Sequence, residues 1–253
     1  LMELNTQIFG KGKPLIIIHG FLGMGDNWKT IAKKLADHYE VHLPDMRNHG
    51  KSPHSSDFSY DIMVQDVNNY MNAHNLDKVR LIGHSMGGKI AMQFASEHPD
   101  LVEKLVVVDI SPKLYQPHHD EILKSLKKLK ESHLESRTQA EEILSETIKD
   151  KGVRLFLLKN LKRETDNKLS LKPNIDIFIQ NRHEIGKALP EKCKFNGETL
   201  FIKGENSSYI RTNDKKLINE HFPNFKVIEI KNSGHWVHAE NPRDFLSQLV
   251  DFL

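Results

Sequence analysis

Short apolar runs at residues 15–18, 41–43, 79–82, 105–108, 199–202 and 225–230 recur along the chain, and longer amphipathic stretches separate them. The runs are often β-branched, as strands buried on both faces should be. Trp28, Ile31, Ala32 and Leu35 fall at i, i+3, i+4 and i+7, and Met63, Val67 and Tyr70 repeat the pattern, so each segment predicts a helix with one apolar face. Alternation of this kind demands right-handed βαβ crossovers, hence an α/β fold with a mostly parallel twisted sheet flanked by helices. With 253 residues the chain suits one large domain, or one domain carrying an insertion.

The rhythm breaks once. From 113 to 194 the strand runs vanish and Lys/Glu-rich helical sequence takes over, as in KSLKKLKESHLESRTQAEEIL. This predicts a helical cap inserted into a core domain made of residues 1–112 and 195–253. The clusters Leu155-Phe156-Leu157 and Ile177-Phe178-Ile179 suit either the underside of such a cap or its own core, and the charge run reads as a solvated helix face. Lys and Arg exceed Asp and Glu by only two, 36 against 34, which lacks the footprint of a nucleic-acid binder and favours a small, weakly charged ligand. The start shows neither a signal peptide nor a membrane span, and the single cysteine, Cys193, excludes an internal disulfide, so a cytoplasmic protein is expected. The oligomeric state stays open.

The segment VRLIGHSMGGKIAMQFA carries the chemistry. A strand at 79–82 passes into a helix from Met86 to about Glu97 through Gly83-His84-Ser85-Met86-Gly87, which puts Ser85 on a sharp strand-to-helix turn with its hydroxyl beyond the sheet edge. Gly83 and Gly87 remove side chains that would collide there, while Gly88, Ala91 and Ala95 let the helix pack close to the sheet. A serine hydroxyl is a poor nucleophile until a base takes its proton. Of 15 histidines, His235 occupies the expected place, on the loop after the strand at 225–230 and ahead of the final helix opened by Asn241-Pro242. His238, helix-lying or exposed, is the weaker substitute.

The acid has three candidates. The loop after 199–202 reads Gly204-Glu205-Asn206-Ser207-Ser208, with serine where an aspartate would be sought, whereas Leu105-Val106-Val107-Val108 runs straight into Asp109 at the sheet edge. A carboxylate after four apolar residues needs a partner, and an imidazole N–H supplies one, so Asp109 leads over Glu205 and Asp214. For the oxyanion, Met86 N–H follows the nucleophile and Phe21 N–H lies in His19-Gly20-Phe21-Leu22-Gly23 after an early strand. His19 reads as a structural ring that shapes this loop. Phe21, Leu22, Phe156, Phe178 and Trp236 are the expected substrate contacts. His118-His119-Asp120-Glu121 lacks a second ligand pair at metal spacing, so it reads as charged cap surface and no metal is expected.

The set HGFLG, DMRNHGKS, GHSMGGK, VVVDISP and SGHWVHAENP resembles the α/β-hydrolase superfamily and, within it, the YbfF-type bacterial serine esterases and their mitochondrial relatives. The likeness covers nearly the whole chain and is weakest in the cap. It implies a serine carboxylesterase acting on short- to medium-chain acyl esters or thioesters without metal or organic cofactor, with the acid at the position of Asp109. It also implies that Asp45, Arg47, Asn48 and His49 form a hydrogen-bonded scaffold beside the site. Two other classes fit the same motifs: a C–C hydrolase or menaquinone-pathway-type lyase, and a non-enzymatic ligand sensor that keeps the triad. Haloalkane dehalogenases and epoxide hydrolases resemble this chain too, but they carry aspartate at the position of Ser85.

Overall fold

The structure is a computed structural model that describes residues 1–165 and 168–253. The chain opens with β1 (Thr6–Phe9), β2 (Lys13–Ile18), α1 (Lys29–Leu35), β3 (Tyr39–Pro44), α2 (Tyr60–Ala73), β4 (Val79–His84), α3 (Met86–Glu97) and β5 (Val102–Val108). It then leaves the sheet for α4 (Asp120–Glu131), α5 (Arg137–Ser145), α6 (Lys151–Leu158), β6 (Leu161–Arg163), β7 (Leu169–Leu171), α7 (Ile175–Gln180) and α8 (Arg182–Ile185). It returns with β8 (Thr199–Gly204), α9 (Asp214–His221), β9 (Phe225–Ile230), α10 (Val237–Glu240) and α11 (Pro242–Phe252). No helix among the described residues is long and apolar enough to cross a membrane.

Seven strands form the main sheet in the order β1-β3-β2-β4-β5-β8-β9. Only β1 runs antiparallel to its neighbour; the other pairs are parallel, as right-handed crossovers require. Side chains alternate across a strand, so β2 feeds two cores at once. Leu15 and Ile17 bury against Trp28, Ile31, Phe245 and Leu249, while Ile16 and Ile18 join the opposite cluster with Val67, Ile90 and Phe94. Burying each such side chain is worth about 1.5–3 kcal/mol, which makes the register of the central strands hard to shift.

Two features depart from the expectation. β1, with the half-polar sequence TQIF, adds an antiparallel edge strand that its short, mixed run did not announce. Within 113–194, a stretch expected to be helical, β6 and β7 pair antiparallel in register Leu161↔Leu171. Three-residue strands are too short to show a period of two.

The C-terminal end of β4 controls what lies above the sheet. Ser85 has φ 53° and ψ −117°, a strained turn that its neighbours hold in place. A Cβ on Gly83 would stand 2.1 Å from the Gly87 carbonyl oxygen, and one on Gly87 would stand 2.3 Å from that of Ile18. Only glycine permits these approaches, and the Ser85 N–H donates to Val108 O at 3.0 Å, pinning the turn to β5. Gly87→Ala is therefore expected to cost about 3 kcal/mol, at the upper end for overpacking, because backbone rather than a movable side chain must yield. Thermal unfolding checks this, and an unchanged Tm would show that the turn has slack.

Candidate active site

Three elements converge on one point above the sheet. Ser85 Oγ–H donates to His235 Nε2 at 3.0 Å, and His235 Nδ1–H donates to Asp109 Oδ2 at 2.7 Å. Asp109 has no exposed surface and φ 51°. Such a carboxylate must be satisfied from within the fold. Gly204 N–H reaches Oδ1 at 3.2 Å, Ser207 Oγ–H bonds to Oδ2, and Asp109's own N–H donates to Ile202 O at 2.7 Å. Asp109 is thus fixed from β5, β8 and the loop after β9.

The other acid candidates sit elsewhere. Glu205 accepts from Lys231 Nζ and from Asn232 N–H, both at 2.9 Å, as the anchor of an exposed loop. Asp214 pairs with Lys113 at 2.6 Å and accepts Arg211 N–H at 2.8 Å. His238 lies on α10 but is buried, stacked on Trp28 with centroids 3.8 Å apart.

The loop after β2 faces Ser85. His19 Nδ1–H donates to Gly20 O at 2.8 Å and its Nε2 accepts Met46 N–H at 2.9 Å, so the ring shapes the loop and carries one proton. Leu22 takes φ 59°. Among the described residues neither Phe21 N–H nor Met86 N–H has an acceptor, which leaves both donors free for an oxyanion. Nearby, Asp45 accepts Gly25 N–H at 2.8 Å, Arg47 grips Asp66 through two bonds of 2.6 and 2.8 Å, Asn48 accepts Ser55 N–H at 2.8 Å, and His49 Nδ1–H donates to Arg47 O at 2.9 Å. All four are buried and held to their neighbours.

Ser85 and His235 open into a cavity of about 200 Å³ whose other walls include Phe21, Leu22, Ile122, Val153, Phe156, Leu157, Tyr209 and Trp236. Phe178 is a correction: its ring is fully buried and packs behind Phe21, His49 and Phe58 at 4.9, 4.6 and 5.1 Å, joining α7 to the sheet domain instead of lining the cavity. His119, expected as exposed cap surface, instead lines the cavity against Phe21, because the chain turns over the site just before α4. Three contributors were missed. Ser207 binds the acid, Tyr209 stacks on His235 at 3.9 Å and 16°, and His84 Nε2–H donates to His235 O at 2.8 Å. The serines of the 204–208 loop, standing where an aspartate is sought, are the one local signal for Ser207.

Several rings around the cavity are held neutral. Burial, reinforced by His235, pushes His84 well below the ordinary histidine range, and burial pushes His119 and His238 down to about 3. Burial also lowers His19 against the pull of Asp45. Lysine, arginine, aspartate and glutamate are absent from the described lining, which is mainly apolar, with histidines, Asn27 and Tyr209 among its polar members.

Residues 13–242 match the family described as the alpha/beta hydrolase fold. Esterase YbfF of Escherichia coli is 34% identical over 259 residues, covering 100% of this chain and 99% of that protein. The sn-1-specific diacylglycerol lipase ABHD11 of Danio rerio is 38% identical over 264 residues, covering 100% of this chain and 83% of that protein. Among solved structures, a marine microorganism esterase superposes with TM-score 0.96 at 41% identity, over 100% of both chains.

The neutral rings give stability a pH slope. A ring with a depressed folded pKa stays neutral while the unfolded chain takes up its proton near 6.5, so stability is lost as pH falls from there towards about 3. Each ring contributes at most about 1.4 kcal/mol per pH unit in that window. His238→Gln should therefore flatten the dependence of unfolding free energy between pH 6 and 4 by about one proton. Denaturant titrations at several pH values measure it, and an unchanged slope would mean the ring is already charged when folded.

Proposed function

The chain belongs to the α/β-hydrolase fold family and, with esterases among its full-length relatives, is a carboxylic ester hydrolase; we propose that it cleaves short- to medium-chain acyl esters and thioesters through an acyl-enzyme on Ser85. The observation that carries this reading is the continuous pair of hydrogen bonds from Ser85 through His235 to a fully buried Asp109. His235 Nε2 takes the hydroxyl proton as Oγ attacks the acyl carbonyl, and Asp109 holds the ring in the tautomer whose Nε2 is free. Phe21 and Met86 N–H receive the developing oxyanion. His235 returns the proton to the leaving alcohol or thiol, then activates a water that hydrolyses the acyl-enzyme. Ser85, His235, substrate and water handle every proton and electron pair in this route.

Residues 1–112 and 195–253 form the catalytic core in this reading, and 113–194 cap it. The mainly apolar lining, without lysine or arginine among the described residues, suits an uncharged acyl chain.

A panel of p-nitrophenyl esters and acyl thioesters of graded length tests the reading. Ser85→Ala should lose fluorophosphonate labelling and lower kcat by at least about 10³-fold. Asp109→Asn, with the fold kept, should cost about 10²–10⁴ in kcat, whereas Glu205→Gln should change it less than about threefold. Undiminished labelling of Ser85→Ala, or greater damage from Glu205→Gln, would contradict the assignment.

A further inference from the structure

Lys89 lies one helical turn after Ser85 on α3 and is 2% exposed. No carboxylate pairs with it among the described residues, which is costly for an ammonium in a protein interior. Its three N–H groups are instead spent on backbone: Pro112 O at 3.1 Å, Lys113 O at 2.6 Å and Lys187 O at 2.8 Å. That matches the full donor complement of a lysine. Burial, with Lys113 close by, pushes the ammonium down to about 7.

These carbonyls belong to one place. Pro112 and Lys113 are where the chain leaves the core after β5, and Lys187 is where it comes back after α8. The two segments also bond to each other, Tyr115 N–H to Gly186 O and Leu189 N–H to Pro112 O, both at 2.8 Å. A Cβ on Gly186 would fall 2.0 Å from Tyr115 O, so the glycine permits the approach. The Tyr115 ring stands 5.3 Å from the ammonium, and its hydroxyl donates to Tyr209 O at 2.7 Å, the residue stacked on His235. The segment that carries Ile122, Val153, Phe156 and Leu157 on the cavity wall leaves and rejoins the core through this neck, and Asn160 to Leu22 O, Asn174 N–H to Asn48 O and the Phe178 packing hold it elsewhere.

We propose that Lys89 is a positioning residue whose side chain clasps both strands of the neck to the nucleophile helix, thereby setting the roof of the acyl cavity and the acyl-chain length the enzyme prefers. The proposal rests on the ester-hydrolase reading of the cavity. On this proposal an acetyl group depends mainly on walls built by the core near Ser85, such as Phe21, Leu22 and Trp236. A hexanoyl chain also needs the roof, where each buried methylene is worth roughly a factor of 4 in binding. Losing the clasp should therefore penalise long chains selectively.

The experiment measures kcat and KM for p-nitrophenyl acetate and hexanoate at pH 6, where the ammonium carries its proton, in wild type and Lys89→Met. The ratio of the two kcat/KM values cancels the shared serine chemistry. It should fall by at least about fivefold in Lys89→Met, chiefly through a raised KM for hexanoate, while amide exchange at Tyr115 and Leu189 accelerates. A ratio within twofold of wild type, or an equal loss at both lengths, would overturn the proposal. If thermal unfolding shows that Lys89→Met does not fold, the same ratio is read on Lys89→Gln, whose amide keeps two donors. A wild type that hydrolyses neither ester would refute the ester reading instead, and amide exchange at the neck would still decide whether the clasp exists.

Discussion

A carboxylate with no exposed surface, placed after four apolar strand residues, constrains this molecule more than any other single group. Asp109 accepts bonds from His235, Ser207 and Gly204, so its burial is tolerable only while β5, β8 and the loop after β9 keep their mutual register. The same bonds orient His235 towards Ser85. Stability and chemistry therefore share one network, and a change that loosens the sheet edge misaims the imidazole. The positive φ angles of Ser85, Asp109 and Leu22, each costing about 1–3 kcal/mol, cluster around this point, where the dense packing of both cores holds them.

Glycine plays the complementary part at β4. The close approach of Gly83 to Gly87, and of Gly87 to Ile18, lets the helix begin directly at the strand end. The helix continues into Lys89, so one segment of primary structure carries Ser85, the Met86 N–H and the lysine bonded to Pro112, Lys113 and Lys187 O, and the proposed roles of all three rest on that one turn. Fold and site cannot be separated here.

Much of this was legible in the sequence because the signals were local. β-branched runs marked the central strands, and Ser85, Asp109 and His235 could be picked out by their places at strand ends, residues that the structure brings within hydrogen-bond distance. What escaped depended on distance in the chain. Ser207 and Tyr209 matter through Asp109 and His235, about 100 and 26 residues away, and no local pattern encodes those contacts. Phe178 looked like a cavity residue because it is apolar and lies in the inserted segment, yet packing against Phe21, His49 and Phe58 decides its direction. Strands β1, β6 and β7 were too short or too mixed in polarity for a period of two to register.

The central claim is that acyl transfer passes through a covalent ester on Ser85. Acid quench in the first milliseconds of p-nitrophenyl ester turnover, followed by peptide mass spectrometry, tests it directly. The account predicts an acyl mass increment on the peptide containing Ser85, formed with a burst of nitrophenol and decaying at the steady-state rate. Burst-free turnover with an unmodified Ser85 peptide under deacylation-limited conditions, or an adduct on another residue, would contradict it.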